Sequence, residues 1–275
     1  MAGAQGATGR LHQWAAAAFR ACRDAVFPLR CLGCRAFIAA PARHGGRAPD
    51  RASEDLSLLQ PFFCPSCLRG VLPLDSPLCP RCGVMFKGRA GEDHLCGRCG
   101  KQPPAFFMAR AAFVYDRALV DVIHCFKYKG NVQLAAPLGR LLLQAYVRFW
   151  EDERVDAILP VPLYGRRLRG RGFNQAELLV RRWETDPDRL QAPPILSGVL
   201  RRVKATAPQA GLGRRSREAN IRGAFAVRRP EAIAGGHLLL VDDVITTGAT
   251  AAECAAQLLE GGAARVDVLA LARVI

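Results

Sequence analysis

The chain has 275 residues, half of them hydrophobic, with 39 Lys plus Arg against 24 Asp plus Glu and a formal net charge of +15. This composition can bury a real core and excludes a disordered chain, and the length allows one large domain or two smaller ones. The charge is uneven: residues 160–229 hold 16 basic and 5 acidic side chains, which suits polyanionic partners (phosphates, pyrophosphate, nucleic acid) or an Arg-rich solvated surface.

At the amino terminus Leu11, Trp14, Ala15, Ala18, Phe19, Cys22 and Val26 fall at helical spacing. Arg20, Arg23 and Asp24 interrupt any signal-peptide core, and no apolar run approaches the ~20 residues that a membrane span needs. The expectation is an amphipathic helix packed on the protein itself, no membrane insertion, and a cytoplasmic location.

Eight of the eleven cysteines then form four C-x-x-C pairs: Cys31/Cys34, Cys64/Cys67, Cys79/Cys82 and Cys96/Cys99. A two-residue spacer lets two thiolates of one tight turn face one tetrahedral metal, and two such turns complete a structural zinc shell. Gly83 and Gly100 follow two of the pairs and permit a left-handed backbone there. Disulfides are the main rival to Zn2+, and the lack of a secretory signal argues against them. Spacing leaves the pairing and the number of ions, one or two, open. Sequential pairing gives a ribbon-like gap of 13 residues in the second set. The first set has a gap of 29 residues containing "APARHGGRAPDRASEDLS", which reads as a flexible loop. Cys22, Cys125 and Cys254 stand alone at helical positions and read as buried, inert thiols.

After "KQPPAFF" the texture changes. Residues 107–115 read as a strand, 117–130 as a helix ending at Gly130, and 132–150 as a longer amphipathic helix. "VDAILPVPL" (155–163) reads as a buried strand, and "NQAELLVRRW" as a helix with Asn174 as N-cap. "HLLLVDD" (237–243) is a strand, 248–261 a helix and "ARVDVLALARV" (264–274) a final strand. Strand–helix alternation implies a mostly parallel α/β sheet, whose ligands bind at the carboxyl ends of the strands.

"HLLLVDDVITTGAT" (237–250) lies at such an end. Unpaired N–H groups at a helix start hold a phosphate well, Thr246, Thr247 and Thr250 add hydroxyl donors, and Gly248 allows close approach. Phosphate will not sit on Asp242 and Asp243. Carboxylates do accept hydrogen bonds from vicinal hydroxyls and can hold a Mg2+ shell through water. A diol at one end and a phosphate at the other describe a ribose 5-phosphate.

"LLLVDDVITTGAT" resembles the phosphoribosyl pyrophosphate (PRPP) signature of type I phosphoribosyltransferases. With "ILPVPLYGRRLRGRGFNQAELL", "RRVKATAPQAGLGRRSREANIRGAF", "FKYKG" and the four cysteine pairs, the chain from Cys31 onward resembles the ComF family of competence-associated proteins, which includes ComFC and GntX proteins. The resemblance implies a fold class of α/β: a type I phosphoribosyltransferase fold, a mostly parallel sheet flanked by helices, with a small N-terminal Cys-rich zinc-ribbon domain. Residues 1–105 would be the N-terminal helix and double zinc ribbon, and 106–275 the phosphoribosyltransferase-like domain.

The resemblance also implies roles. Asp242 and Asp243, the candidate catalytic residues, would bind the ribose hydroxyls of PRPP directly or through Mg2+. Thr246, Thr247, Gly248, Ala249 and Thr250 would form the 5-phosphate loop. Pro160 to Leu163, Pro162 among them, occupy the place of the pyrophosphate loop, and Arg166, Arg167, Arg169 and Arg171 would neutralise the pyrophosphate, with Lys127 and Lys129 as further candidates. Lys204 to Arg222 corresponds to a mobile hood, where Gln209, Arg214, Arg217 and Asn220 match the pattern. The eight paired cysteines would be the metal ligands.

The leading expectation is a PRPP-binding, phosphoribosyltransferase-like protein linked to DNA uptake. Single-stranded DNA is an implied partner, with Phe173 and Tyr164 available for stacking, and other competence proteins are further implied partners. One alternative is a metabolic phosphoribosyltransferase acting on a base or amine. Another is a non-enzymatic single-stranded DNA-binding adaptor, since function follows the site and not the fold.

Overall fold

The computed structural model describes residues 29–38, 56–88, 90–185, 192–206 and 213–275. The amino-terminal helix expected around Leu11–Val26, most of the 40–57 loop, Cys22 and Gln209 lie outside the described residues. The chain divides into two compact units, 1–69 and 70–275.

In the described part of the first unit, Cys31 and Cys34 open on one turn and Cys64 and Cys67 on a second, which starts the short helix α1 (Pro65–Leu68). Leu32 N–H donates to the Phe62 carbonyl at 2.9 Å and ties the two turns together. Leu59 and Phe63 are fully buried.

The second unit opens with the Cys79/Cys82 turn and helix α2 (Gly97–Lys101), which carries Cys99. Gly83 has φ +66°, the left-handed backbone expected after the cysteine pair, and an added Cβ would stand 2.3 Å from the Ala109 carbonyl. Gly100 differs from expectation: it lies inside α2, where its N–H donates to Cys96, so no left-handed residue is needed there.

The α/β part runs β1 (Ala109–Val114), α3 (Arg117–Tyr128), α4 (Ala135–Trp150), β2 (Ala157–Pro160), α5 (Gly165–Arg171), α6 (Gln175–Val180), β3 (Leu200–Arg202), α7 (Arg214–Ile221), β4 (Phe225–Val227), β5 (His237–Ile245), α8 (Ala249–Glu260) and β6 (Arg265–Arg273). The main sheet has the order β1-β6-β5-β2, and every neighbouring pair is parallel. The fold is α/β with a parallel sheet, as the alternation implied.

The two inner strands are aliphatic on both faces, as a parallel sheet covered on both sides requires. Leu238, Leu240, Val266, Val268 and Ala270 share one core with Ala251, Cys254, Ala255 and Leu258 of α8, and with Cys79, Cys82 and Cys99. The other side is met by α4, whose Trp150 Nε1 donates to the fully buried Asp267 at 2.8 Å. His237, Arg265 and the Met108 N–H add contacts to that carboxylate at 2.9, 2.8 and 3.1 Å, so its charge is compensated.

Three features go beyond the sequence reading. β5 continues to Ile245, so the aspartates lie within its last turnward residues and not beyond it. The arginine-rich segment after β2 is helical, α5 ending at Gly172 with φ +80°. The stretch matched to a hood is the connection between β3 and β4, an antiparallel two-stranded ribbon.

Candidate functional site

A cleft of about 640 Å³ opens at the carboxyl ends of β2 and β5. Its floor is the end of β5. Asp243 is 7% exposed, and its Oδ1 lies 2.8 Å from Lys127 Nζ, delivered by α3. Burial acts to lower the Lys127 pKa, but the Asp243 carboxylate outweighs it and the net shift is upward, so the lysine is cationic. Asp242 Oδ1 accepts the Asp243 N–H at 2.8 Å. Burial, reinforced by the neighbouring Asp243 charge, pushes the Asp242 carboxyl up to about 7. Two carboxylates thus share one lysine, and the second charge calls for a cation or a proton.

The turn after β5 supplies the opposite chemistry. Gly248, φ +80°, is the N-cap of α8, and Ala249 N–H reaches Thr247 Oγ1 at 3.4 Å. Thr246, Gly248, Ala249 and Thr250 all line the cleft. A helix start built on glycine with hydroxyls around it is an anion-type turn.

The third wall comes from β2 to α6. Asn174 caps α6 by accepting the Ala176 N–H at 3.2 Å, as its sequence position suggested, and its Nδ2 also donates to the Val161 carbonyl at 3.2 Å. One side chain therefore holds the loop after β2 against the start of α6. Pro162, Arg167 and Arg171 line the cleft on this side.

The remaining expected residues fall elsewhere. Arg166 and Lys129 are exposed, and the cleft is lined without them. Thr247 turns its hydroxyl to the backbone of its own turn. Arg214 and Arg217 belong to α7, and their side chains lie outside the described part of the structure.

Arg202 and Gln175 are among the cleft residues that no local motif marks as such. Arg202 ends β3 at the base of the hood connection, donates to Thr206 Oγ1, and keeps a buried Nε without a partner. Burial and the nearby Arg167 both lower its pKa, so two guanidinium groups converge on one wall. Gln175, 2% exposed, lines the cleft with its Nε2 donor unpartnered. A buried unpaired donor in a cleft wall is costly unless a ligand accepts from it. The "FNQ" triplet carries that signal, but only the fold shows that Gln175 faces the cleft.

The cysteines assemble into two clusters, Cys31/Cys34/Cys64/Cys67 and Cys79/Cys82/Cys96/Cys99, with all sulfurs of each within 4.8 Å of one another. The structure thereby settles the pairing as sequential. Sulfur–sulfur distances are 3.6 Å for Cys31–Cys67 and Cys34–Cys64, and 3.8 Å for Cys82–Cys96. A tetrahedron with zinc–sulfur bonds near 2.3 Å has edges of about 3.8 Å. Backbone N–H groups of Cys64, and of Cys82 and Cys96, point at Cys31 and Cys79 sulfur at 3.4–3.5 Å. Burial opposes thiolate at both, but these donors outweigh it, taking Cys31 down to about 6 and Cys79 to about 7, whereas burial pushes Cys67, Cys82 and Cys99 up. Without an ion one thiolate per cluster is therefore favoured, and a divalent ion is needed for the rest. Arg273, 4% exposed, has Nε and Nη1 without hydrogen-bond partners. Burial lowers its pKa, and thiolate charge at Cys82, Cys79, Cys99 and Cys96 acts the other way. A buried guanidinium with two unpartnered nitrogens, under the field of four thiols, fits a cluster that carries net negative charge, as four thiolates on a divalent ion do.

Sheet, cleft and clusters define a class: an open parallel α/β protein with a ligand-type cleft at its strand ends and two tetrathiol sites in the same chain. No protein-family model matches the chain. It is 37% identical over 225 residues to "DNA utilization protein YhgH" of Salmonella typhi, covering 78% of this chain and 91% of the relative. It is 31% identical over 255 residues to "Competence protein F" of Haemophilus influenzae, covering 90% and 98%, and 25% identical to "Competence protein ComFC" of Bacillus subtilis over 79% and 88%. Among solved structures, a hypoxanthine-guanine-xanthine phosphoribosyltransferase matches with a TM-score of 0.25 and 18% identity over 50% of this chain and 61% of the other, an overlap too slight to carry weight. The chain belongs to the ComF family, the family of competence protein F and the YhgH proteins. Among the described residues no helix is long and apolar enough to cross a membrane.

Proposed function

We propose that the protein binds PRPP with Mg2+ in the cleft at the end of β5 and acts, as its relatives' names indicate for them, in the uptake or use of DNA. One observation carries this reading: a pair of acidic residues and a glycine-capped anion-type turn face one cleft, separated along the chain by Val244 and Ile245 alone. The acidic pair suits a sugar diol, and the turn suits the 5-phosphate. Asp242 and Asp243 would hold the Mg2+, which when bound would offset their negative charge and help neutralise that of the pyrophosphate. Arg167, Arg171, Arg202 and Lys127 line the same cleft and would neutralise a departing pyrophosphate. A type I phosphoribosyltransferase fold is part of the proposal.

The two cysteine clusters are proposed as Zn2+ sites, on their tetrahedral spacing and N–H···S contacts and, for the second, on the partly unpartnered Arg273. Thiolate–zinc clusters of this kind agree with a cytoplasmic location. A second activity, single-stranded DNA binding, is favoured by the cleft mouth. There Tyr128, 65% exposed, stands under the Arg171 guanidinium at 4.7 Å, beside the arginines of α5, a basic and aromatic surface on which a base can stack.

Calorimetric titration of PRPP with Mg2+ into the wild type and into Asp242→Asn/Asp243→Asn tests the main reading. Micromolar binding by the wild type and its loss in the double variant are expected. A folded, zinc-loaded wild type that binds no PRPP would refute it.

A further inference from the structure

The second cysteine cluster belongs to the same compact unit as the cleft, and one residue joins them. Arg98 is a spacer residue of Cys96-Gly97-Arg98-Cys99 and is carried by α2. Its Nη1 donates to the Thr247 main-chain carbonyl at 2.5 Å, and its Nη2 to Glu218 Oε1 on α7 at 3.3 Å. Thr247 stands in the middle of the anion-type turn, and α7 lies in the hood connection. The far end of that connection is tied independently to α8, where Glu253 accepts the Gly223 N–H at 2.7 Å.

The two contacts of Arg98 differ in weight. The pair with Glu218 is 29% and 42% exposed, and an exposed ion pair contributes little. The bond to the carbonyl is charge-assisted and reaches the main chain of the turn itself, so it restrains that backbone directly. A spacer residue between two metal ligands loses its conformational freedom when both are ligated. Order in the cluster is therefore order at Arg98.

We infer that Arg98 is a positioning residue, which transmits the integrity of the Cys79–Cys99 cluster to the 246–250 turn and to the hood helix, so that ligand affinity in the cleft depends on the cluster. The choice of PRPP as probe and the presence of zinc in the Cys79–Cys99 cluster rest on the proposed function; the contacts of Arg98 do not.

The test uses the full chain as wild type, Arg98→Ala and Arg98→Lys. Zinc content and amide hydrogen exchange without ligand are measured with and without a zinc chelator, followed by PRPP–Mg2+ titration. Arg98→Ala is expected to keep its zinc, while amides of 246–250 and 214–221 exchange about tenfold faster and PRPP binds about tenfold more weakly. Arg98→Lys, with a single point donor, should restore protection of the turn in part and not that of the hood. Chelation should accelerate the same amides in the wild type and add little in Arg98→Ala, because both perturbations cut one connection. Unchanged exchange in Arg98→Ala overturns the inference, and so do chelator effects of equal size in both proteins. A wild type that fails to bind PRPP refutes the proposed ligand, while the exchange data still decide the role of Arg98.

Discussion

Lys127 is the sole described cation paired with the acidic end of β5, and removing it tests the electrostatics of the cleft directly. The Nζ–Oδ1 distance is 2.8 Å, with side-chain exposures of 17% and 10%. At an effective dielectric constant of about 20 the attraction is about 6 kcal/mol. Lys127→Met forfeits it but relieves the lysine's own desolvation and lets an aspartate take up a proton, which limits the net loss to about 3 kcal/mol. For a unit of this size that lowers the melting midpoint by about 6–12 °C. Thermal melts at pH 8 of the wild type, Lys127→Met, Asp243→Asn and the double variant make the comparison. The double variant should recover part of the loss, because only the Asp242 carboxyl is then left without a counter-charge and no second carboxylate repels it. The deficit of Lys127→Met should shrink at pH 5, where one carboxylate is protonated. A single variant that melts within 2 °C of the wild type, or a double variant no better than the single, refutes the assignment of Lys127 as the counter-charge.

Other outcomes follow from the same structure. Cys99→Ser should reduce zinc from two ions per chain to one, measured by metal analysis, and lower the midpoint of the unit that contains the sheet, because Cys99 is buried in its core. Gln175→Leu should keep unfolding stability within about 1 kcal/mol of the wild type, since it removes an unpaired buried donor, yet weaken PRPP binding in calorimetry. His237 is raised above its ordinary 6.5, first by its hydrogen bond to Asp267. Its stabilisation is full below pH 6.5 and is lost as pH rises through the raised value. Asp267 is lowered from 3.8 because its hydrogen bonds to His237, Arg265 and Trp150 outweigh its burial. Its contribution is present above pH 3.8 and is lost as pH falls through the lowered value. Urea midpoints should therefore decline above pH 6.5 in the wild type, and this decline should flatten in His237→Gln.

What the sequence determined by itself was whatever short-range chemistry encodes. The parallel sheet was legible because β5 and β6 are aliphatic on both faces, a pattern that survives in one dimension. The acidic pair, the glycine-capped turn, the N-cap at Asn174 and the C-x-x-C turns were legible because each is complete within a few residues. Tertiary structure decided what depends on distant segments meeting. It chose the sequential pairing of the cysteines, and it placed the Cys79–Cys99 cluster with the sheet, whereas the sequence reading grouped both clusters before residue 105. It set Lys127 against Asp243 across more than a hundred residues, turned Arg202 and Gln175 into the cleft and Arg166 and Lys129 away from it. The physical reason is that a side chain's direction is set by the element that carries it and by what that element packs on. Neither is written in local composition, so the chemistry of the site could be read from the chain, but its counter-charges and its connection to the metal-type cluster through Arg98 could not.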